Sequence, residues 1–268
     1  MSWDPAQSPD QAWQSARELP RGTTESDLAG GGHAVLVQDE PRVRIVLSAS
    51  GGSGTRQVSK IYRTPLALTW RDLFRYPQAQ REYENLQFAF QKKLPVAEPL
   101  GFGLRRRVGS DWYSQLTTAF LEGTTLRDVL AQNIAGREEL IGMAGRLVAT
   151  IHRKGMVWGT AHSGNFMVHS GSPATMSAFD FPYAFCTGKD RAGSRLALYD
   201  VWNMVVDFRT QCRLDESLVG LFFEAYAAEA GLDTKNLQSR VDARQGKKSV
   251  FPERLFIRTV RSFRLRPF

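Results

Sequence analysis

The most constraining word in this chain is "VSKIY", residues 58–62, which puts a lysine in the middle of an apolar strand pattern. Strand side chains alternate, so Val58 and Tyr62 share a face with Lys60 while Ser59 and Ile61 point the other way. An unpaired ammonium is costly to bury, so the fold must either keep this strand at an edge, where the lysine stem snorkels into water, or supply an anion. The next predicted element offers two. Residues 78–93, "QAQREYENLQFAFQKK", repeat Ala79, Tyr83, Leu86 and Phe90 at helical spacing and carry Glu82 and Glu84. Two residues apart on a helix point about 200° apart. Glu82 shares its flank with Ala79, Leu86 and Ala89, the inward side, whereas Glu84 groups with Gln87, Phe88 and Gln91. Glu82 is the expected partner of Lys60.

Around this pair the first half of the chain reads as strands. "HAVLVQD" (33–39), "VRIVLSA" (43–49) and "RQVSKIYR" (56–63) alternate apolar and polar residues, joined through "EPR" and "SGGSG". Two further strands are expected around "VAEPLGFGL" and "WYSQLTTAFLEG". From Thr124 the pattern turns helical, with Leu140, Ala144, Leu147 and Ile151 on one stripe and "LALYDVWNMVVDF" (196–208) on another helix. Between these lie two short strands, "FMVH" (166–169) and "MSAFDF" (176–181). This order predicts an α+β plan: a flexible leader over 1–32, a small strand-rich lobe over 33–123 and a helical lobe over 124–268, with a cleft between the lobes. The chain has 268 residues, 42% of them hydrophobic, which suffices for a two-lobed unit with a real core.

Several chemistries find no support. "SGGSG" lacks the Gly-Lys-Ser/Thr ending of a phosphate loop and leads into a strand, so it reads as a hairpin tip. The four histidines show no H-E-x-x-H pair, and no serine sits in G-x-S-x-G. Cys186 and Cys212 match no metal spacing and are too few for a disulfide framework, so a reducing cytoplasm is expected. The start of the chain has no basic-then-apolar export pattern, and no apolar run is long enough to cross a bilayer. The net charge of +8 is uneven: residues 240–268 hold nine Lys/Arg against Asp242 and Glu253. That excess suits an anionic partner or, more simply, a solvated helix face and tail.

The second half supplies a further pair. In "HRKGMVWGTAHSGNFMVHSGSPATMSAFDF", Asn165 ends a loop before one strand and Asp180-Phe181 closes the next. An amide oxygen and a carboxylate from neighbouring strand ends suit Mg²⁺, a hard cation that takes oxygen ligands and substrate phosphates. A strand lysine, a helix glutamate, then an Asn/Asp pair is the phosphate-holding order of a protein-kinase fold.

With "VSKIYR", "QREYENLQFAFQKKLPVAEPLGFG", "TAFLEGTTL" as a hinge, the loop at 151–168 and "FDF", residues 33–212 resemble the protein-kinase-like sugar kinases that phosphorylate Kdo or heptose in the lipopolysaccharide core. The resemblance to aminoglycoside-type phosphotransferases is weaker. It implies a two-lobed kinase fold in which Lys60 and Glu82 serve ATP, Asn165 and Asp180 hold Mg²⁺, and Asp200 in "LYDVW" braces the loop from a later helix. It also implies a lipopolysaccharide core sugar or an anionic membrane surface as partner, a cytoplasmic location at the inner membrane, and no nucleic acid.

The departures are as informative. Family members read His-Gly-Asp or His-Arg-Asp where this chain reads Trp158-Gly159-Thr160, so the aspartate that accepts the substrate proton is replaced. Pro182 follows Asp180-Phe181 in place of a flexible glycine. A histidine is by type poised near neutrality, yet His162 lies two residues on and matches a histidine that accompanies the aspartate in related loops. A general base contributes about 10²–10⁴-fold, whereas phosphoryl transfer leans chiefly on positioning and charge stabilisation. The resemblance therefore implies a nucleotide site with impaired chemistry. The alternatives are a small-molecule phosphotransferase and a non-catalytic scaffold of lipopolysaccharide assembly.

Overall fold

Apolar alternation over residues 34–64 becomes β1 (Ala34–Asp39), β2 (Val43–Ala49) and β3 (Arg56–Thr64), paired antiparallel in sequence order. The computed structural model describes residues 8–19, 34–49, 56–64, 77–106, 111–132, 136–171 and 174–245. Packing divides them into two units, one holding the described residues up to 87 and from 97 to 120, the other holding 88–96 and 121–245.

In the first unit, β4 (Pro99–Arg106) and β5 (Trp112–Ala119) complete a five-stranded sheet in the order β1-β2-β3-β5-β4. Lys60 sits in the middle strand, opposite Ile45 on one side and Leu116 on the other, so the edge-strand alternative does not apply. Helix α2 (Gln78–Gln91) presents Ala79, Glu82, Leu86 and Ala89 as its buried flank. Phe90, expected on the apolar stripe, is instead 47% exposed, because the buried flank is centred on Glu82 rather than on Tyr83.

The expectation of a loose leader fails over residues 8–19. Helix α1 (Pro9–Ser15) runs into a short 3-10 turn over Ala16–Glu18. Pro9 opens the helix, and the Gln11 side chain accepts from both Ser8 N and Ser8 Oγ, which ties down its first turn. Ala12, Trp13, Ala16 and Leu19 then join Leu36, Val46, Ile61 and Tyr113 in one core. Arg44 is only 2% exposed; its guanidinium lies 3.9 Å from the Trp13 ring centre and donates to the Trp13 carbonyl. Burial of the indole and its cation partner outweighs the polar composition around it.

The second unit is built on helices α3 (Leu126–Ala131), α4 (Arg137–Arg153), α5 (Arg195–Thr210), α6 (Glu216–Ala230) and α7 (Thr234–Gln245). The predicted stripe Leu140, Ala144, Leu147 and Ile151 is buried as α4 packs along α6. The helices meet at Gly145, where an added Cβ would lie 2.7 Å from the Phe222 carbonyl oxygen. Among the described residues no helix is long and apolar enough to cross a membrane.

Short strands carry the loop between α4 and α5. β6 (Thr124–Thr125), β8 (Phe166–His169) and β9 (Thr175–Ala178) form one sheet, and β7 (Met156–Val157) pairs with β10 (Phe185–Cys186). The "MSAFDF" strand thus ends at Ala178, before Asp180. Of the basic C-terminal segment, Arg240 and Arg244 donate to the carbonyls of Gly193 and Arg195, packing α7 on its own unit. The rest of that segment, from 246 onward, and the "SGGSG" tip lie outside the described residues.

Candidate functional site

In the sheet unit, Lys60 Nζ meets Glu82 Oε1 at 2.8 Å, with the glutamate side chain 1% exposed and the lysine 14%. The Tyr62 hydroxyl donates to the other oxygen, Oε2, at 2.6 Å. Tyr62 follows Lys60 on the same strand face, so one strand both neutralises and orients the buried carboxylate. Alternation already put Tyr62 on this face, yet its role went unread because a tyrosine in a strand reads as packing. Glu84 faces elsewhere and accepts from Gln80 one turn earlier on the same helix.

In the helical unit the loop after α4 is held from α5. Asp200 is fully buried. It accepts from Trp158 N at 2.6 Å, from Gly159 N at 2.7 Å and from His152 Nε2 at 3.2 Å. The other ring nitrogen of His152 pairs with the Tyr226 hydroxyl at 2.7 Å. Burial pushes the Tyr226 phenol well above its usual range, so it stays protonated in this network. Gly159 turns the chain at φ 83°, a conformation that suits glycine, and so delivers Thr160 next to the bracket. Trp158 fills the space beneath. Its ring stacks on Phe181 at 4.6 Å, and its indole N–H donates to the Asp180 carbonyl at 2.9 Å. The sequence pointed to Asp200 but not to Trp158 as the piece that ties the loop to Asp180-Phe181.

Asn165 and Asp180 emerge from the same end of the β8–β9 ladder. Phe166 pairs with Ala178, and one step further Phe179 N donates to the Asn165 carbonyl at 3.0 Å. Asn165 Nδ2 donates to the Thr160 carbonyl at 3.2 Å, which leaves the amide oxygen as the atom able to face a cation. Asp180 takes φ 65°, an uncommon conformation for a residue with a side chain, held by Trp158 through the Asp180 carbonyl and the ring of the next residue, Phe181. One neutral oxygen and one carboxylate, fixed by backbone pairing, fit a hard cation that draws its other ligands from phosphate and water. Among the described residues no cluster of three His, Cys, Asp or Glu side chains could hold a metal by itself.

A second carboxylate on α5 holds the other end of the loop. Asp207 accepts from Ser163 N at 2.7 Å, from the Ser163 hydroxyl, and from Arg127 Nη2 at 2.7 Å. Nothing local in the sequence marks it, because Ser163 and Arg127 lie 44 and 80 positions away. His162 hangs beside this clamp, its Nδ1 lying 3.4 Å from Arg127 Nη2. A guanidinium only donates, so Nδ1 is the accepting nitrogen and the neutral ring carries its proton on Nε2. Burial lowers the His162 pKa; the Asp207 charge opposes that shift and the Arg127 charge adds to it. Thr160 Oγ1 is buried and has no hydrogen-bond partner.

A model of the lipopolysaccharide kinase (Kdo/WaaP) family matches residues 39–184, a span containing Lys60, Glu82, Thr160, His162, Asn165 and Asp180. Among solved structures, WaaP in complex with acyl carrier protein aligns with a TM-score of 0.57 at 14% identity, covering 87% of this chain and 90% of that one. The Rio2 kinase–ADP/Mg²⁺–phosphoaspartate complex from Chaetomium thermophilum aligns with a TM-score of 0.51 at 14% identity, covering 93% of this chain and 73% of that one. No curated protein sequence matches. At these identities the structural likeness is one of fold, and that fold is protein-kinase-like: a small sheet-rich unit and a larger helical one.

Proposed function

The chain belongs to the lipopolysaccharide kinase (Kdo/WaaP) family, and on that footing we propose that it binds ATP with Mg²⁺ and acts in phosphorylation of a lipopolysaccharide core sugar, with chemistry impaired at Thr160. Lys60, held by Glu82, would meet the nucleotide phosphates. Asn165 and Asp180 would hold the Mg²⁺, which neutralises phosphate charge when bound. Work at the cytoplasmic face of the inner membrane, near anionic lipid, is supported by the nine Lys/Arg of residues 240–268.

The observation that carries this reading is the loop around Thr160. Asp200 brackets its start, the Asn165 amide ties its end back to the Thr160 carbonyl, and between them stands a hydroxyl instead of a carboxylate. A threonine hydroxyl has no useful basicity at neutral pH. His162 does not replace it, since its neutral-ring lone pair already faces Arg127. These contacts support a loop whose frame is kept while its proton acceptor is replaced.

Thermal shift with ATP and Mg²⁺ tests the nucleotide half directly, because a ligand that binds the folded state raises apparent stability by mass action. The shift is expected only with the divalent cation, lost in Lys60→Met and Asp180→Ala, and kept in Glu84→Ala. A wild type unmoved by millimolar ATP with Mg²⁺ or Mn²⁺ would falsify it and leave a scaffold reading.

A further inference from the structure

The two edges of the five-stranded sheet are finished differently. At one edge, β1 is bulged between Leu36 and Gln38 and ends in Gln38 and Asp39, the kind of bulge and charge with which natural sheets blunt an edge. At the other, β4 is bulged only near its start, between Pro99 and Gly101, and then pairs regularly with β5 as far as Arg106. From Pro99 to Leu104 it holds no charged residue, and Leu100, Phe102 and Leu104 are 46%, 43% and 45% exposed. Among the described residues no strand pairs with its outer side. Single exposed apolar side chains are ordinary, but three within five residues of an open edge strand form a template for another strand.

Both faces of β4 already carry a helix. On one, a Cβ added at Gly103 would lie 3.2 Å from Pro9 Cγ of α1. On the other, Phe102 meets Tyr83 of α2, their ring centres 5.1 Å apart. What stays open is the edge itself, where main-chain amides and carbonyls are available for pairing.

The order of the residues selects the occupant. Leu100-Gly101-Phe102-Gly103-Leu104 reads the same in both directions. A second, antiparallel β4, related by a two-fold axis through Phe102, therefore sets phenylalanine against phenylalanine, glycine against glycine and leucine against leucine. The same pairing brings Glu98, ahead of each strand, toward Arg105-Arg106 at the end of the other, whereas parallel pairing would set like charges together. An axis normal to the sheet also keeps the α2 face continuous, so the two Tyr83–Phe102 pairs meet as one aromatic cluster.

We propose that the β4 edge docks a second copy of this chain, joining two five-stranded sheets into one. A strand pair of this length is small among specific interfaces, so the dimer is weak, with a Kd of about 10–100 µM. Lys60, Glu82, Asn165 and Asp180 take no part, so this association stands or falls separately from the nucleotide reading.

Sedimentation equilibrium of the full chain from about 1 µM to about 500 µM, a range spanning that affinity, should show monomers passing into dimers. Phe102→Lys sets two ammonium groups against each other on the axis and should weaken association at least about tenfold. Disulfide trapping tests the register. Copies carrying Phe102→Cys should link to each other on mild oxidation, because residues facing across an antiparallel pair lie about 4.5–5.5 Å apart. Copies carrying Leu104→Cys should not link to each other, since this register holds them about 13 Å apart along the strand. They should link to Leu100→Cys copies when the two are mixed. Neither leucine variant touches the Tyr83–Phe102 contact, so this arm does not depend on how well the sheet tolerates changes at Phe102. The wild type, whose Cys186 and Cys212 lie in the other unit, gives the background. A wild type that stays monomeric at every concentration overturns the proposal, as would follow if the strand were covered from within the chain. So does association that Phe102→Lys leaves unchanged, or Leu104→Cys linking to itself as readily as to Leu100→Cys.

Discussion

Asp200 and Asp207 stand two turns apart on α5 and hold opposite ends of one loop, but they do so in different surroundings. Asp200 is fully buried and accepts from two consecutive backbone amides and a buried histidine. Asp207 is 8% exposed and shares its carboxylate between Ser163 and an Arg127 side chain that is 38% exposed. The first is a closed network whose donors have no alternative partner. The second is a clamp whose cation can turn to water. The contrast teaches that the frame of the loop and its lining are separable: the Asp200 end sets where Thr160 stands, and the Asp207 end shapes what lies beside it.

The largest expected effect breaks the frame. Asp200→Ala strands Trp158 N, Gly159 N and His152 together, and should destabilise the chain by about 3–5 kcal/mol, the range for removing one partner of a buried charged network. Asp207→Ala should cost about 1–3 kcal/mol, because the freed Arg127 gains hydration. Urea unfolding of the two variants measures both. Equal losses would mean that both ends of the loop are anchored alike.

The same contrast explains how far the sequence could be read. Lys60 and Glu82 were legible because two periodicities, strand and helix, each assign a face, and only Glu82 lies on the flank that can meet Lys60. Asp200 was legible only through a family word, "LYDVW". Asp207 was not, since its partners are remote in sequence and nothing local distinguishes it from a solvated helix aspartate. Helix α1 was misread because an acidic, Gln- and Ser-rich leader looks disordered by composition, although Ser8, Pro9 and Gln11 form a helix-start signature and Ala12, Trp13 and Ala16 share one face. Spacing placed Asn165 and Asp180 at neighbouring strand ends, where the β8–β9 pairing has them; the conformation of Asp180 and the Trp158 stack beside it are beyond spacing.

Next in size is the proton acceptor itself. Thr160→Asp places a carboxylate where the frame held by Asp200 already stands, next to the amide of Asn165. Burial there should raise the new pKa, which helps a base work near neutral pH. Transfer to a lipopolysaccharide core acceptor, or ATP hydrolysis, should rise by at least about tenfold over a wild type near background. His162→Ala should barely change it. Wild-type turnover of roughly 1 s⁻¹ or faster, within the kinase range, refutes impairment outright. A Thr160→Asp variant that binds ATP but stays inactive would show instead that the Asp207 side has been rebuilt along with the base.

The smallest effect belongs to His162 and reports on the Asp207 end alone. Burial lowers its folded-state pKa below the ordinary 6.5, with the Arg127 charge in the same direction and the Asp207 and Asp180 charges opposed. The unfolded chain therefore binds this proton more tightly than the folded one. The stability tied to neutral His162 is fully present above about pH 6.5 and is lost as pH falls from there toward the lower folded-state value. Protonation would also turn the Nδ1 contact with Arg127 from a hydrogen bond into a meeting of two cations. Comparing wild type with His162→Gln across that window isolates the group, because every other titration is common to both. The wild type should lose stability more steeply below pH 6.5, and the two curves should run parallel above it. Parallel curves throughout would mean that the loop end at Asp207 yields enough to hydrate the imidazole, and that the clamp is looser than its bonds imply.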